Sequence, residues 1–223
     1  LGPTLQPRSG FGARFLYVMG GSGTLDVEIH DPLADTWSAG TRMMSSHSRG
    51  AAVVLNGKIY MMGGANASSK TVEVFDPQTG SWAAVAPMAA SRQEFAAATV
   101  GGKIYAIGGN SGGHLSSVEA FDPQTGAWAG VAPMPTCRGN MGAATLDGKI
   151  YVIGGYESPG RRTDSMQVYD PQTNTWATGP PMPTARFNLC VAALGGKIYA
   201  VGGYKGGAVS VVEAFDPQTN SWA

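Results

Sequence analysis

The sequence has little charge, only two cysteines and no long apolar run. Charged residues make up 13% of the 223 residues, and 15 basic residues balance 15 acidic ones. Since the chain carries no net charge that would attract a polyanion, we expect neither a nucleic-acid partner nor a membrane partner. Apolar runs such as residues 51–55 are far too short to span a bilayer, and the N-terminus does not read as a signal peptide.

The two cysteines, Cys137 and Cys190, are too few for the disulfide framework of a small secreted scaffold. We therefore expect two free thiols and a cytoplasmic protein. Cys137 precedes Arg138, and we interpret it as a small packed residue rather than as a redox sensor.

What the sequence has in abundance is repetition. A Gly-Gly pair begins at Gly20, Gly63, Gly108, Gly154 and Gly202. Five tryptophans recur in step with these pairs, at Trp37, Trp82, Trp128, Trp176 and Trp222. An Asp-Pro pair precedes each tryptophan and begins at Asp31, Asp76, Asp122, Asp170 and Asp216. The period is 43 to 48 residues, and such a period is typical of propellers and solenoids.

Within each repeat unit the local sequence predicts short strands. Residues 72–75 and 149–153 are rich in β-branched and aromatic side chains. A two-residue turn such as Asn56-Gly57 or Asp147-Gly148 precedes each Lys-Ile-Tyr segment of units two to five. Because these pairs accept the positive φ values of a type I′ turn, we predict a β-hairpin at each of them. The Asp-Pro-Gln-Thr segments predict a second, wider turn.

These segments predict four antiparallel strands in each unit, which we name A to D in chain order. In the third unit we predict A from near Arg92 to Val100, B over residues 103–107, C over 118–121 and D from near Trp128. Four such strands repeated at this period fit the blades of a β-propeller. We therefore predict one all-β domain over residues 1–223, with units at about 1–45, 46–90, 91–136, 137–184 and 185–223.

The motifs Gly-Lys-Ile-Tyr-x-x-Gly-Gly and Phe/Tyr-Asp-Pro-Gln-Thr-Asn/Gly-x-Trp resemble the Kelch repeat, over the chain from Tyr17 to Trp222. Residues 211–220 resemble in particular the substrate-binding domain of Kelch-like (BTB–Kelch) proteins. The resemblance implies a Kelch-type propeller that binds another protein, as the substrate receptor of a cullin-type ubiquitin ligase. A scaffolding propeller in a cytoskeletal or other assembly stays open as an alternative.

Both ends of the chain depart from this pattern. Ala13-Arg14 stand where the other units have their tight turn, so we predict no clear strand A in the first unit. The fifth unit stops one residue past Trp222. In Kelch-like proteins a C-terminal strand typically completes the first blade, so the five units resemble part of a six-bladed parent. A closed five-bladed ring would need residues 1–10 to cover its seam.

Only one loop changes in length between units. The B–C loop, from the second glycine of each pair to the Asp-Pro, contains 9, 11, 12, 14 and 12 residues. The other spacings are constant, with ten positions from each tryptophan to the residue that opens strand A. Loop variation on a repeated scaffold diversifies a binding surface. Because B runs antiparallel to A, we predict this surface where the B–C loops lie beside the start of strand A.

Three sets of residues lie at the predicted surface: those that open strand A, those two positions later and those directly after each Gly-Gly pair. In the Kelch-like proteins that capture degron peptides, residues at these motif positions contact the peptide. The resemblance implies this role for Arg49, Arg92, Asn110, Arg138, Asn140, Tyr156, Arg186, Asn188 and Tyr204. The arginines that open strand A have an alternative role, because they could brace neighbouring blades through hydrogen bonds to turn carbonyls.

The charge at this surface predicts the chemistry of the partner. Four of the predicted contacts are arginines, and Arg161 and Arg162 lie in the longest B–C loop. They outnumber the nearby acids Glu94, Glu157 and Asp164. Guanidinium groups bind carboxylates through paired hydrogen bonds, and tyrosines offer broad, stiff contact surfaces. We therefore predict an acidic protein segment as the partner.

We predict no enzymatic activity, no catalytic residue, no metal site and no cofactor. The three histidines, His30, His47 and His114, lie in three different units, and no nucleophile with an adjacent base is visible. Walker, zinc-ligand and Rossmann spacings are also missing from the sequence. A Kelch-fold enzyme such as a sialic-acid epimerase-like protein stays open as a second alternative, because arginines could hold a substrate carboxylate.

Overall fold

The computed structural model describes residues 4–5, 15–21, 23–65, 69–157 and 160–223. The described residues form strands, turns and irregular segments, and none of them is helical. Accordingly, this part of the chain contains no helix that could cross a membrane. The chain divides into two compact parts, Leu1–Gln93 and Glu94–Ala223. The N-terminal part carries the sheets of units one and two, and the C-terminal part those of units three to five.

The N-terminal part contains two four-stranded antiparallel sheets whose strands lie in chain order. The first is formed by β1 (Thr4–Leu5), β2 (Leu16–Met19), β3 (Val27–Asp31) and β4 (Thr36–Ala39). The second is formed by β5 (Ala51–Leu55), β6 (Lys58–Met62), β7 (Val72–Asp76) and β8 (Ser81–Val85). The prediction that the first unit has no clear strand A was wrong, because β1 pairs with β2. Ala13 and Arg14, on which that prediction rested, lie outside the described residues.

The C-terminal part contains three more four-stranded sheets of the same order. The third unit has β9 (Ala96–Val100), β10 (Lys103–Ile107), β11 (Val118–Asp122) and β12 (Ala127–Val131). The fourth has β13 (Arg138–Gly139), β14 (Gly142–Leu146), β15 (Lys149–Ile153), β16 (Tyr156–Glu157), β17 (Arg161–Arg162), β18 (Met166–Asp170) and β19 (Thr175–Gly179). The fifth has β20 (Cys190–Leu194), β21 (Lys197–Val201), β22 (Val212–Asp216) and β23 (Ser221–Trp222). Strands β13, β16 and β17 form a small extra sheet that the sequence did not predict.

The tight turns have the geometry that their sequences predict. Asn56 and Gly57 have φ values of 51° and 76°, and Asp147 and Gly148 have 50° and 73°. Positive φ at both central residues matches the right-handed twist of the flanking strands, which fixes the register of each A–B hairpin. In the fourth unit this register pairs Leu146 with Lys149 and Gly142 with Ile153.

Apolar side chains between neighbouring sheets form the core. In the C-terminal part, Ile107 and Val118 of the third unit pack in one cluster with Ile150 and Val152 of the fourth. An equivalent cluster joins the fourth unit to the fifth. Burial of an aliphatic side chain contributes about 1.5–3 kcal/mol, so these clusters dominate the cohesion of neighbouring sheets. Within the C-terminal part no further sheet covers the fifth unit, whose Val212 is 58% exposed.

Each sheet has two distinct ends. Ile107, the last residue of β10, pairs with Ala96 at the start of β9 and with Val118 at the start of β11. The B–C loop therefore lies beside the start of strand A, as predicted; we call this the B–C end of a unit and the opposite end the C–D end. Strands A of neighbouring units are also close, since the Thr145 hydroxyl donates to the Thr99 carbonyl at 3.0 Å.

Candidate functional site

At the C–D ends of units two to five, the aspartate of each Asp-Pro-Gln-Thr turn binds groups of the same unit. In the third unit, the Gln124 backbone N–H donates to the Asp122 carboxylate at 2.9 Å, and Lys103 lies 3.1 Å from the same carboxylate. The same two contacts recur at Asp76, Asp170 and Asp216. The backbone bond is the main reason why the pKa of all four carboxyl groups lies below the ordinary value of 3.8. These groups shape the turns.

The arginines that open strand A are buried. Arg92, Arg138 and Arg186 are each 0% exposed. The Arg186 guanidinium donates to the Glu213 carboxylate at 2.5 Å and to the Ala200 carbonyl at 2.9 Å. Because these contacts connect the start of strand A to strands B and C, Arg186 braces the fifth unit internally.

The corresponding arginine of the fourth unit lacks a carboxylate. Arg138 donates to the carbonyls of Gly154 and Ser165 at 3.1 and 3.2 Å, and its Nε and Nη2 are without a hydrogen-bond partner. Gln167 stands where the fifth unit has Glu213, and its amide donates to the Thr136 hydroxyl. Loss of hydration on burial lowers the pKa of Arg138 to about 10, although the charge of Glu157 opposes this shift.

These bonds give Arg138 and Arg186 the bracing role that the sequence left open, and Arg92 is equally buried. A guanidinium with no exposed surface reaches a partner only if it leaves its buried position, so direct contact stays a prediction for Arg92, Arg138 and Arg186. In the N-terminal part His47 occupies the same position, with Nδ1 at 2.6 Å from the Gly63 carbonyl and Nε2 at 2.6 Å from Glu73. We call the residue at this position the brace of its unit; a basic side chain there that binds a backbone carbonyl is part of the repeated framework.

The residues two positions after the brace adopt left-handed backbone conformations. Arg49, Glu94, Asn140 and Asn188 have φ values of 53° to 62°. In the C-terminal part this geometry aligns backbone bonds from unit to unit, with Asn140 N donating to Glu94 O at 2.7 Å and Asn188 N to Asn140 O at 2.8 Å. The Asn140 amide also donates to the Asn188 side chain at 2.8 Å. Asparagine tolerates this conformation, whereas other side chains lose roughly 1–2 kcal/mol in it.

Four rings form a continuous row at the B–C end of the C-terminal part, which we call the aromatic row: His114, Tyr156, Phe187 and Tyr204. Their centroids are separated by 6.0, 5.1 and 5.3 Å in that order. Backbone bridges hold the row, since Phe187 and Tyr204 exchange two hydrogen bonds and Tyr156 lies in β16 between β13 and β17. Tyr204 is 44% exposed and the other three rings are half-buried.

Gly155 allows the chain to enter the row so closely. Its φ is 107°, and a Cβ on it would lie 2.8 Å from the Gly139 carbonyl oxygen. A side chain at this position would therefore push β16 away from β13. The second glycine of the pair thus places Tyr156 directly beside the start of the fourth unit.

Exposed cations flank the aromatic row. Arg162 pairs directly across from Tyr156 in the small sheet, so the two side chains are neighbours on one face. Arg161 binds Glu157 at 3.0 Å, whereas Arg162 and Lys205 have no ion-pair partner among the described residues. The Nη1 of Arg162 lies 3.7 Å from the place that a Cβ on Gly206 would take, so Arg162 reaches the loop of the fifth unit.

The structure brings together only some of the predicted residues. In the C-terminal part Tyr156 and Tyr204 belong to the aromatic row, Asn140 and Asn188 are joined by their side chains, and Asn110 forms a bridge with His114. Arg49 is exposed in the N-terminal part. The sequence missed Phe187 and His114. Phe187 directly follows Arg186, whereas the other units have Ser48, Gln93 and Gly139 at this position. A large aromatic residue in place of small or polar ones was a sequence signal for a contact residue.

The site offers contact chemistry. The row provides an apolar and aromatic surface, Asn188 an exposed amide, and Arg162 an exposed guanidinium that can bind a carboxylate through two hydrogen bonds. Across the described residues, no three His, Cys, Asp or Glu side chains lie close enough to hold a metal ion.

Comparisons with known proteins agree with this architecture. The family model for the KLHDC2/KLHL20/DRC7 Kelch-repeats domain matches residues 51–223. The solved structure of YjhT matches with a TM-score of 0.82 and 17% sequence identity, over 99% of this chain and 82% of that one. At this identity the likeness shows the fold alone. No curated protein matches the chain.

Proposed function

The chain belongs to the KLHDC2/KLHL20/DRC7 Kelch-repeats domain family, and from this premise we propose that it captures an acidic segment of another protein at the B–C end of units three to five. Kelch-repeat domains are typically non-enzymatic modules that bind protein partners. The all-β sheets described above are those of a Kelch-type propeller. What we propose beyond the family and the fold is that the bound segment is acidic and that it binds at the B–C end.

One observation carries the proposal: the exposed guanidinium of Arg162, next to Tyr156, has no ion-pair partner among the residues described. A carboxylate from a partner would give it two charge-assisted hydrogen bonds. Arg138, whose Nε and Nη2 have no hydrogen-bond partner, lies beneath the same loop, and buried charges are screened less by salt than exposed ones. Arg49, another predicted contact, is an exposed arginine of the N-terminal part.

We further propose that capture serves substrate recognition by a cullin-type ubiquitin ligase, as the resemblance to BTB–Kelch proteins implies. Co-precipitation of a cullin with the full-length protein would support this role. Partner binding without any cullin would favour a scaffolding propeller instead, and would leave the capture proposal intact.

Two substitutions with the same charge change test the capture surface. Arg162→Gln and Gln124→Glu each lower the net charge by one, at the B–C end and at the C–D end respectively. Acidic 12-residue peptides identified on a peptide array are measured by fluorescence anisotropy. We expect Arg162→Gln to weaken binding about tenfold or more, because hydrogen bonds to charged groups contribute about 1.5–3 kcal/mol. Equal effects of the two substitutions would contradict the proposed location.

A further inference from the structure

We propose that the captured segment must also carry an apolar side chain, which packs on the aromatic row within about three residues of the carboxylate that binds Arg162. This inference deepens the proposed function and rests on it. It changes the expected partner from any acidic stretch to a segment that combines one apolar anchor with a nearby acid.

The requirement for an apolar anchor follows from Phe187, a half-buried ring that lies between Tyr156 and the exposed Tyr204. Its ring contacts Tyr156 at 5.1 Å and Tyr204 at 5.3 Å, and it has no group that can donate or accept a hydrogen bond. A polar side chain placed over Phe187 would lose its water without compensation, which costs about 1–3 kcal/mol. An apolar side chain there would instead gain from the area that it removes from water.

The spacing between anchor and acid follows from the small sheet. Arg162 lies directly across from Tyr156, and directly opposed residues have Cβ atoms about 4.5–5.5 Å apart. The guanidinium extends from there toward Gly206, beside the loop that carries Tyr204. An extended peptide rises about 3.3 Å per residue, so an anchor on the row and a carboxylate on Arg162 are separated by about three residues or fewer.

The length of the row favours a peptide over a smaller anion. Its three successive ring contacts of 6.0, 5.1 and 5.3 Å can accompany up to about five residues of extended chain. A single sugar ring would cover only part of the row. With its acid on Arg162 and its apolar side chain on the row, a peptide would therefore lie along the loops of units four and five.

The test is a selection of randomised 12-residue peptides on the purified protein, followed by affinity measurements on the enriched sequences. We expect enrichment of Asp or Glu within three positions of Leu, Ile, Val, Met or Phe. For the enriched peptides, Phe187→Ala and Arg162→Gln should each weaken binding about tenfold or more. Phe187→Leu keeps an apolar side chain and should change binding by less than about threefold, which separates loss of the anchor surface from loss of the fold.

The outcomes separate this inference from the proposed function. Enrichment of acidic residues without an apolar neighbour, or normal binding by Phe187→Ala, would overturn the inference and leave acidic capture standing. Enrichment of apolar residues without acids, or no enrichment at all, would overturn both. If Phe187→Ala alone unfolds, which circular dichroism would reveal, Tyr204→Ser provides the comparison at the exposed ring of the row, and normal binding by Tyr204→Ser would overturn the inference.

Discussion

Units four and five share a framework but differ in whether the buried arginine that opens strand A forms an ion pair. Both open strand A with an arginine that is 0% exposed, and both end strand C in an Asp-Pro-Gln-Thr turn. In the fifth unit Glu213 neutralises Arg186 at 2.5 Å. In the fourth unit Gln167 replaces the carboxylate, and the loop above adds Arg161 and Arg162 together with the acids Glu157 and Asp164, of which Glu157 is paired with Arg161.

This difference distinguishes the repeated framework from the capture surface that we propose. The fifth unit pairs the charge of Arg186 with Glu213, so we expect this ion pair to contribute little electric field outside the unit. Among the described residues, the fourth unit has one buried guanidinium without a hydrogen bond to a carboxylate, Arg138, and one exposed guanidinium without an ion pair, Arg162, both near the aromatic row. Since charge complementarity steers association and selects partners, the fourth unit is where we expect an acidic segment to be attracted first.

The largest expected effect comes from removing the paired brace. Arg186→Met leaves Glu213 buried without its cation, and we expect it to lower the free energy of unfolding by about 3–5 kcal/mol. Arg138→Met is the matched control: it strands no carboxylate, so it should lower the free energy of unfolding by at least about 1 kcal/mol less. Urea denaturation measures both changes, and equal losses would remove the distinction between the two units.

Supplying the missing carboxylate should stabilise the fourth unit. Gln167→Glu places an acid where the fifth unit has Glu213, and it replaces an amide oxygen that has no hydrogen-bond partner. Hydrogen bonds to charged groups contribute about 1.5–3 kcal/mol, and we expect a gain within that range in urea denaturation. Weaker binding of acidic peptides by the same variant would confirm that Arg138 contributes to the field. A loss of stability would show that the amide suits Arg138 better.

The link between units four and five at their B–C end should depend on the left-handed backbone. Asn140→Ala keeps the positive φ of 56° without a tolerant side chain, and it removes the bond to Asn188. We expect it to lower the free energy of unfolding by about 1–2 kcal/mol. Asn140→Gly loses the same side-chain bond but accepts the backbone geometry, so thermal unfolding should show a smaller loss. A larger loss for glycine would contradict this explanation.

The smallest effect that we expect is on acid stability, and it should be the same for the C–D turns of units four and five. The Gln172 and Gln218 backbone N–H groups lower the pKa of Asp170 and Asp216 below 3.8, and an acid with a lowered folded pKa contributes stability above its unfolded pKa. This contribution is lost as the pH falls through the folded pKa. Asp170→Asn and Asp216→Asn should therefore reduce the acid sensitivity of unfolding between about pH 5 and 2 by similar, small amounts. Thermal unfolding across that range would reveal unequal effects, which would show that the two turns are not equivalent.

The fold was predictable because its signals are local and repeated. The Asn-Gly and Asp-Gly turns, the alternating strands and the period each point to four-stranded units, and strand B of the third unit spans Lys103–Ile107 as predicted. Strand A of that unit begins at Ala96 and not near Arg92, because residues 92–95 bend to carry the brace and the left-handed Glu94. Strand β1 contains only two residues, Thr4 and Leu5, and a segment this short shows no recognisable alternation or turn motif in the sequence.

The candidate site was only partly predictable, because its geometry arises from contacts between units. The spacing of the repeats predicted that Arg138 and Arg186 lie at the start of strand A. It did not predict that their side chains are buried, where they donate hydrogen bonds to backbone carbonyls. The small sheet that positions Arg162 depends on pairing between a loop and the start of strand A, and no local propensity encodes it. Phe187 joins the row through Tyr156 of the preceding unit, at 5.1 Å, and through Tyr204 of its own unit, at 5.3 Å.

Hydrogen–deuterium exchange of the protein with and without a bound acidic peptide tests the proposed capture at the B–C end most directly. We predict slower exchange at residues 156–157, 160–162 and 204–208 on binding, because the peptide would cover the loops of units four and five. The turns at residues 170–175 and 216–221, at the C–D end, should exchange at unchanged rates. Protection of these turns without protection of the B–C loops would contradict the proposed binding surface.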